Sequence, residues 1–222
     1  MKSSLQQLSI LVDDAREPFM SLAEAQTENG SKILLQTVRD VTDAPTDTVA
    51  ASVFFRRFGF FLAAQFQTIA VHQQMFAGPL NKIGIIQEDD TFRFIVPSEG
   101  FVEVQDAKQA LRIVLDTYGH PLVQTFSHRA NISKLILWEN IWGYVIWIYN
   151  QLIQDGVESA SQNLDFLLLD TTWNPQMKRS PFKQYLQNQS ALDAMKDYKR
   201  VTCCLLKEIP NTNKCPYCPL AK

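Results

Sequence analysis

The segment SKLILWENIWGYVIWIYNQLIQDG, at residues 133–156, is the most apolar stretch of the chain. It is long enough for a helix to cross a bilayer. However, polar residues interrupt it, namely Glu139, Asn140, Asn150 and Gln151. Because such side chains are costly in the hydrocarbon interior of a membrane, we expect a buried core helix, which Ser133 caps and Gly156 ends.

A second long apolar helix is predicted to begin at TDAPTD, where Asp43 or Thr46 is the expected N-cap, and to end at about Met75. Its body, VFFRRFGFFLAAQF, has the length of a membrane span. It contains Arg56 and Arg57, however, and charged groups at the centre of a bilayer are costly. We therefore expect this helix to be buried in protein as well.

Strands are predicted in the middle of the chain. After GPLN, the sequence KIGIIQEDDTFRFIVPS places two runs rich in Ile, Val and Phe around an acidic turn at residues 88–90, which is typical of a hairpin. FVEV, from Phe101, is expected to add a short strand.

Residues 1–44 are predicted to form two or three short helices, with Pro18 early in one, and another helix follows Asp106. The expected fold class is α+β, mostly helical, with a small antiparallel β-sheet.

Composition and charge exclude several classes of protein. With 222 residues, 46% of them hydrophobic, the chain can build one sizeable core. A net charge of −2 and scattered basic residues argue against nucleic acid as a partner. At the N-terminus, Asp13 and Asp14 close the apolar run too early for a signal peptide. We therefore expect a cytoplasmic location.

All four cysteines lie close to the C-terminal end, in a C-C-x10-C-x2-C pattern formed by Cys203, Cys204, Cys215 and Cys218. Disulfides seldom persist in the cytoplasm, so this pattern indicates metal or redox chemistry. The C-x2-C spacing lets two sulfurs of one tight turn reach the same metal. Neighbouring side chains of an extended chain point in opposite directions, which suits a cluster wider than one ion. The spacing alone leaves zinc and an iron–sulfur centre both open.

The cysteine pattern resembles the C-terminal signature of the FhuF-like ferric-siderophore reductases, which binds a 2Fe–2S cluster. The local context, RVTCCLL and CPYCPL, is similar as well. Upstream, SKLILWEN is similar to the family's Leu-Trp-x-Asn stretch, with Leu137, Trp138 and Asn140 matching. The helix at AASVFFRRF is similar in place and character to a helix of that family. The likeness extends from about residue 45 to the end of the chain.

The resemblance implies a ferric-siderophore reductase whose cofactor is a 2Fe–2S cluster with these ligands: Cys203, Cys204, Cys215 and Cys218. It implies a helical α+β siderophore-binding domain at residues 1–195 and a C-terminal iron–sulfur segment at residues 196–222. One electron would pass to siderophore-bound Fe(III), and Fe(II) would be released because hard oxygen ligands hold it less tightly. No catalytic residue beyond the cluster ligands is expected.

The expected partners are a ferric siderophore of the hydroxamate type and an external electron donor, either a reductase or a ferredoxin. The chain has 8 glycines and no Gly-rich phosphate loop, so we expect it to bind neither a nucleotide nor a flavin. The implied function is compatible with peripheral association with the cytoplasmic face of the inner membrane.

The candidate siderophore-binding residues are Trp138 and Asn140 by resemblance, Arg56 and Arg57 by charge, and Lys178 and Arg179 in the loop before the cysteine segment. Each also has a plainer interpretation. A tryptophan in an apolar helix usually belongs to the core, and an asparagine there usually bonds to backbone. Basic side chains usually reach solvent. The histidines, His72, His120 and His128, lack the spacing of a metal pair and are expected at helix caps or on the surface.

Three alternatives to a reductase stay open. The first is a non-enzymatic zinc-binding protein with a structural four-cysteine site, which would be colourless. The second is a simple electron-transfer iron–sulfur protein, although the chain is long for holding one cluster. The third is a membrane-embedded redox protein built on the helix at residues 133–156, which solubility without detergent would contradict.

Overall fold

The chain folds into helices packed around a small sheet, and the computed structural model describes residues 1–220. The helices are α1 Lys2–Gln7, α2 Leu22–Gln26, α3 Glu28–Thr42, α4 Asp47–His72, α5 Ala107–Val114, α6 His120–Arg129, α7 Lys134–Gln154, α8 Glu158–Leu168, α9 Pro181–Tyr185 and α10 Ala191–Lys196. The strands are β1 Ile10–Val12, β2 Met20–Ser21, β3 Gln74–Phe76, β4 Gly84–Glu88, β5 Thr91–Val96 and β6 Phe101–Glu103. A π-helical turn, Leu115–Gly119, joins α5 to α6.

The strands form two separate sheets. The larger sheet has the strand order β1-β5-β4-β2, in which β1 runs parallel to β5 and the other pairs are antiparallel. Its register places Ile10 opposite Phe94, and Ile85 opposite both Met20 and Phe94. The smaller sheet pairs β3 with β6 in antiparallel fashion.

The predicted fold class is confirmed, since the structure is α+β and 58% helical. The predicted hairpin forms as β4 and β5. The expectation of an antiparallel sheet is wrong for one pair of strands, because β1 pairs in parallel with β5. β1 and β2 lie within residues 1–44, where two or three short helices and no strand were predicted. Strands of two or three residues carry too little periodicity to be recognised. Pro18 accordingly lies in the loop before β2, and the FVEV strand pairs with β3 instead of the hairpin.

The two long helices begin where their caps were predicted. The Thr46 hydroxyl accepts from the backbone N–H of Val49 at 3.3 Å, and the Ser133 hydroxyl accepts from that of Leu135 at 3.2 Å. Both contacts satisfy donors that a helix start leaves free. α4 ends at His72, before the predicted Met75, because Gln73 adopts a left-handed conformation with φ of 51° and the chain turns into β3.

α4 and α7 pack closely at Gly59. A Cβ atom at this position would lie 2.7 Å from Cδ2 of Tyr144 and 3.1 Å from the carbonyl oxygen of Asn140. A larger residue would therefore force the Tyr144 ring or the adjoining backbone of α7 to move. The cysteine segment lies against this same pair of helices.

One helix among the described residues, α4, is long and apolar enough by composition to pass as a membrane span. Of its most apolar window, 78% is buried inside the protein. Phe54, Phe58 and Phe61 of α4 pack against Phe94 of β5, and Phe54 also contacts Phe126 of α6. The apolar surface of α4 is thus covered by the sheet and the other helices, as predicted for a core helix.

Candidate functional site

A buried carboxylate ties the cysteine segment to α7. Glu139 is fully buried and accepts hydrogen bonds from the backbone N–H of Val201 at 2.5 Å and of Thr202 at 2.7 Å, and from the Thr202 hydroxyl. Its carboxylate also lies 3.5 Å from Nη2 of Arg200, which is itself buried. Because a buried charge needs several partners, this arrangement fixes the chain immediately before Cys203.

A second tie joins Cys204 to both long helices. The Ser52 hydroxyl of α4 donates to the carbonyl oxygen of Cys204 at 2.6 Å. The Asn140 amide of α7 donates to the Ser52 hydroxyl and to the Ser52 carbonyl oxygen, each at 2.9 Å. All three residues are buried, so the network is shielded from competing water. The position of Cys204 is thereby set by α4 and α7 together.

The four cysteines are free thiols, of which Cys204 and Cys218 are buried and Cys203 and Cys215 are partly exposed. Burial raises the pKa of the Cys215 thiol, and the nearby Cys204 and Cys218 thiols raise it further. The backbone N–H of Cys218 bonds to the Cys215 carbonyl at 3.0 Å, which closes the tight turn expected of C-x2-C. Three thiols therefore lie in one neighbourhood.

The remaining thiol, that of Cys203, accepts a hydrogen bond from the backbone N–H of Leu205 at 3.4 Å. Such backbone donors are typical around metal-bound sulfur, whose charge they stabilise. Within residues 1–220, no group of three or more His, Cys, Asp or Glu side chains is positioned to hold a metal ion. Four thiols on one short segment are the right kind of ligand for zinc or an iron–sulfur centre. Their positions do not form a ready-made ligand geometry for either.

A cavity of about 620 Å³ opens beside the thiols. Its walls come from α4, from α7, from the end of α10 and the chain after it, and from the cysteine segment. Cys204 and Cys215 both line it, together with Arg56, Asn140, Tyr144 and Tyr217 among others. A volume of this size is typical of sites that take small organic molecules.

One wall of the cavity carries a cation close to sulfur. Burial lowers the pKa of Arg56, but the neighbouring Tyr144, followed by Cys204 and Cys215, outweighs this effect and raises the pKa above its ordinary value. The guanidinium therefore stays charged. Two other cations at the cavity have carboxylate partners, since Lys196 pairs with Asp193 and Arg200 with Glu139. Arg56 is placed to attract an anion or to offset negative charge on the thiols.

The mouth of the cavity is aromatic. Trp147 is 49% exposed and Tyr217 is 42% exposed, although large aromatic side chains are usually well buried. Tyr198 lies 5.6 Å from Tyr217, between ring centroids, and also lines the cavity. Exposed rings beside a concave surface offer flat apolar contacts to a ligand.

The structure separates the predicted siderophore-binding residues into two groups. Arg56 and Asn140 line the cavity beside the thiols. The other four lie elsewhere: Trp138 is fully buried against Trp173 and Phe182, Arg57 is partly buried, and Lys178 and Arg179 are exposed before α9. The plainer interpretations of Trp138 as a core residue and of Lys178 and Arg179 as a solvated loop describe these positions.

The sequence did not predict the aromatic residues at the mouth of the cavity. It also did not predict the hydrogen bonds of Glu139 and Ser52 to the cysteine segment. One signal was present, because Asn140, Tyr144 and Trp147 recur at the spacing of one helix face. A second signal was Glu139, whose charge in the most apolar helix requires a partner. That partner lies 62 positions away in sequence at Val201, which no local pattern indicates.

Neither the protein-family models nor the curated proteins include a match to this chain. The resemblance to the FhuF-like reductases therefore stays a prediction. The case for a function depends on the cysteine pattern, on the cavity beside it and on the groups that line both.

Proposed function

We propose that this protein is a ferric-siderophore reductase that carries a 2Fe–2S cluster on Cys203, Cys204, Cys215 and Cys218. The observation that carries the proposal is the cavity of about 620 Å³ that Cys204 and Cys215 line. A simple electron carrier needs no ligand cavity at its redox centre. A cavity that reaches the thiols suits a protein that brings a small molecule close to them.

The cavity walls supply the groups that would bind the siderophore. Arg56 provides a positive charge for anionic oxygens, and its planar guanidinium can donate two hydrogen bonds at once. Trp147 and Tyr217 provide exposed rings for the organic scaffold. Asn140 also lines the cavity, where its side-chain amide donates to Ser52 and so helps to hold the wall beside Cys204.

The ties to α4 and α7 would hold the thiols in place during the reaction. Ser52 and Glu139 fix the backbone of the cysteine segment from two helices, so that the distance from sulfur to cavity stays constant. When bound, the cluster would supply electrons one at a time, which is the number that reduction of Fe(III) to Fe(II) requires. Hydroxamate oxygens hold Fe(II) weakly, so the reduced iron leaves.

Electrons must come from an external donor, a reductase or a ferredoxin, because the proposal includes no second cofactor. No group in the cavity needs to act as a general acid, a general base or a nucleophile. Peripheral association with the cytoplasmic face of a membrane is compatible with this function and is part of the proposal.

The deciding experiment is the visible spectrum of the anaerobically purified protein, with iron and acid-labile sulfide measured on the same sample. We expect a brown protein with about two iron and two sulfide per chain, which dithionite bleaches. Addition of ferrioxamine B, a ferric trihydroxamate, should restore the colour while an Fe(II) chelator records the released metal. Serine at any one of the four cysteine positions should lower the iron content.

Other results of these measurements would indicate other functions. A colourless protein with about one zinc per chain, even after growth with ample iron, would replace the reductase by a structural zinc site. A brown protein that reoxidises with a generic acceptor but not with ferrioxamine B would be a simple electron carrier. Full retention of iron in all four serine variants would refute the ligand assignment.

A further inference from the structure

Charge is distributed unevenly along this chain. Residues 196–222, which hold the four cysteines, contain 6 of the 21 Lys and Arg residues but 2 of the 23 Asp and Glu residues. Their net charge is +4, whereas residues 1–195 carry a net charge of −6. Such an asymmetry turns the positive end of a protein toward an acidic partner as the two approach. The cysteine segment is therefore the part of the protein that attracts an anionic surface.

Two lysines of this segment are open to such a partner. Lys207, in the turn Leu206–Glu208, and Lys214, next to Cys215, are both exposed. Within residues 1–220, neither ammonium forms an ion pair with a carboxylate. The Lys214 ammonium donates to the Leu220 carbonyl oxygen at 2.9 Å, which leaves its charge unneutralised.

The other charged residues of the segment reduce this positive charge without reversing it. Lys199 pairs with Asp197 on the surface, and Arg200 faces the buried Glu139. Glu208 is exposed and offsets one lysine charge. A bound cluster would offset more, because two ferric ions, two sulfides and four thiolates leave about two negative charges. The segment as a whole stays positive even then.

Cys203 gives this surface access to the proposed cluster. Its thiol is partly exposed, and Cys203 is not among the described residues that line the cavity of about 620 Å³. Val201 and Leu220 are also outside that described lining, and they are 47% and 48% exposed. We call these three residues, together with Lys207 and Lys214, the outer face. Apolar contacts with charges around them are typical of protein–protein interfaces.

Hydrogen bonds hold the parts of the outer face together. The backbone N–H of Arg200 donates to the Tyr217 carbonyl oxygen at 3.0 Å, which brings Val201 next to the C-x2-C turn. The Cys203 sulfur accepts from the backbone N–H of Leu205, which directly precedes the turn that carries the first lysine. The thiol and the lysines are thus parts of one compact segment.

We propose that the outer face is the docking site of an acidic one-electron carrier protein, while the cavity holds the siderophore. This inference rests on the proposed reductase function. One electron passes from the reduced carrier, which is thereby oxidised, to the oxidised cluster near Cys203. It leaves toward the cavity that Cys204 and Cys215 line, where it reduces Fe(III) to Fe(II). The carrier and the siderophore can be bound at the same time, because they occupy different surfaces.

Calorimetric titration with oxidised flavodoxin, an acidic one-electron carrier, tests docking without any electron transfer. The full-length protein is used as purified, with its cluster oxidised. We expect saturable binding that weakens at least about tenfold when sodium chloride rises from about 0.05 M to about 0.5 M, because salt screens exposed charges. Lys207→Glu and Lys214→Glu should each weaken binding about tenfold at the lower salt concentration.

Lys108→Glu is the matched control. Lys108 is exposed on α5, outside the cysteine segment, so this variant makes the same change in net charge at another place. Its affinity for flavodoxin should differ from that of the unmodified protein by less than about twofold, because salt screens charges that are distant from the interface. Equal weakening by Lys108→Glu and Lys207→Glu would show that overall charge, and not the outer face, attracts flavodoxin.

Stopped-flow kinetics then test the electron transfer itself. Flavodoxin hydroquinone is mixed with the oxidised protein, and the appearance of the blue semiquinone records the loss of one electron. Lys207→Glu should slow this step about tenfold in low salt and should match the unmodified protein in high salt, because salt screens the docking charge. A difference of the same size in high salt would overturn the docking role and assign Lys207 an effect on the cluster potential.

The docking site is refuted if flavodoxin does not bind, or if neither salt nor the two lysine variants change its affinity. Vesicles of phosphatidylcholine and phosphatidylglycerol test a lipid surface in its place. Vesicle binding that Lys207→Glu abolishes, without flavodoxin binding, would reassign the outer face to a membrane. A brown protein that reduces ferrioxamine B after dithionite treatment, yet fails the flavodoxin tests, loses the docking site alone. A colourless zinc protein would overturn the reductase function and this inference together.

Discussion

Trp138 and Asn140 lie two residues apart on α7, and they line different cavities. Successive positions on a helix are turned by about 100°, so residues two apart face nearly opposite directions. Asn140 lines the cavity beside Cys204, whereas the buried Trp138 borders a second cavity, of about 290 Å³, beside His120. The Leu-Trp-x-Asn stretch therefore serves two regions of the protein at once, and one substitution in it need not affect both.

Arg56 and Arg57 allow a matched test of the proposed siderophore cavity. Arg56 lines it beside the thiols, and Arg57 is not among the described residues that line it. Arg56→Gln should raise KM for ferrioxamine B about tenfold, the effect of one lost charge-assisted contact, while Arg57→Gln should change it less than about twofold. Both variants are compared at equal iron content, because Arg56 is also close to sulfur. Equal effects of the two changes would remove Arg56 from the binding site.

Ser52→Ala should loosen the cysteine segment around Cys204. It removes the donor to the Cys204 carbonyl and should lower the free energy of unfolding by about 1–2 kcal/mol, as expected for a buried hydrogen bond. The reaction of the Cys204 thiol with a disulfide reagent, followed in metal-free protein by mass spectrometry, should accelerate. Ser159→Ala is the control, because the Ser159 hydroxyl donates to the Ala70 carbonyl at 2.9 Å, far from the cysteines in sequence. If Ser159→Ala accelerates the same thiol equally, the Ser52 contact has no local role.

Glu139→Gln should destabilise the protein strongly. The amide can accept fewer hydrogen bonds than the carboxylate, and Arg200 is left buried without a counter-charge. Breaking one side of a buried ion pair costs about 3–5 kcal/mol, and we expect a loss near the lower value in urea unfolding. Glu28→Gln supplies the comparison, because Glu28 pairs with Lys32 on the surface, where ion pairs contribute about 1 kcal/mol or less. Losses of similar size in the two variants would argue against the tie between α7 and the cysteine segment.

Local features were predictable from sequence, whereas contacts between distant residues were not. The capping of α7 by Ser133 and the β4–β5 hairpin depend on residues that are neighbours in the chain, so their patterns sufficed. The parallel pairing of Ile10 with Phe94 depends on residues more than eighty positions apart. The cavity likewise lies between α4, α7 and a cysteine segment that Ser52 and Glu139 hold from far away in the sequence. The four cysteines could be chosen from spacing, but the cavity beside them could not.

The stability of the protein should depend on His120 at acidic pH. Burial lowers the folded-state pKa of His120 to about 4, from an ordinary value of 6.5, and Lys134 and Arg112 add to the shift. The folded state thus binds this proton more weakly than the unfolded chain. The resulting stability is present above pH 6.5 and is lost as the pH falls through about 4, with a total of about 3 kcal/mol.

The measurement is urea unfolding between pH 7 and about 4, in paired variants, because carboxylates also titrate in this range. His120→Phe keeps a flat ring and removes the titrating group, so its unfolding free energy should decline less steeply than that of the unmodified protein. His128→Gln, at an exposed position, should follow the unmodified protein. Parallel curves for all three proteins would show that His120 takes up its proton without unfolding cost, and the lowered pKa assigned to its buried imidazole would then be wrong.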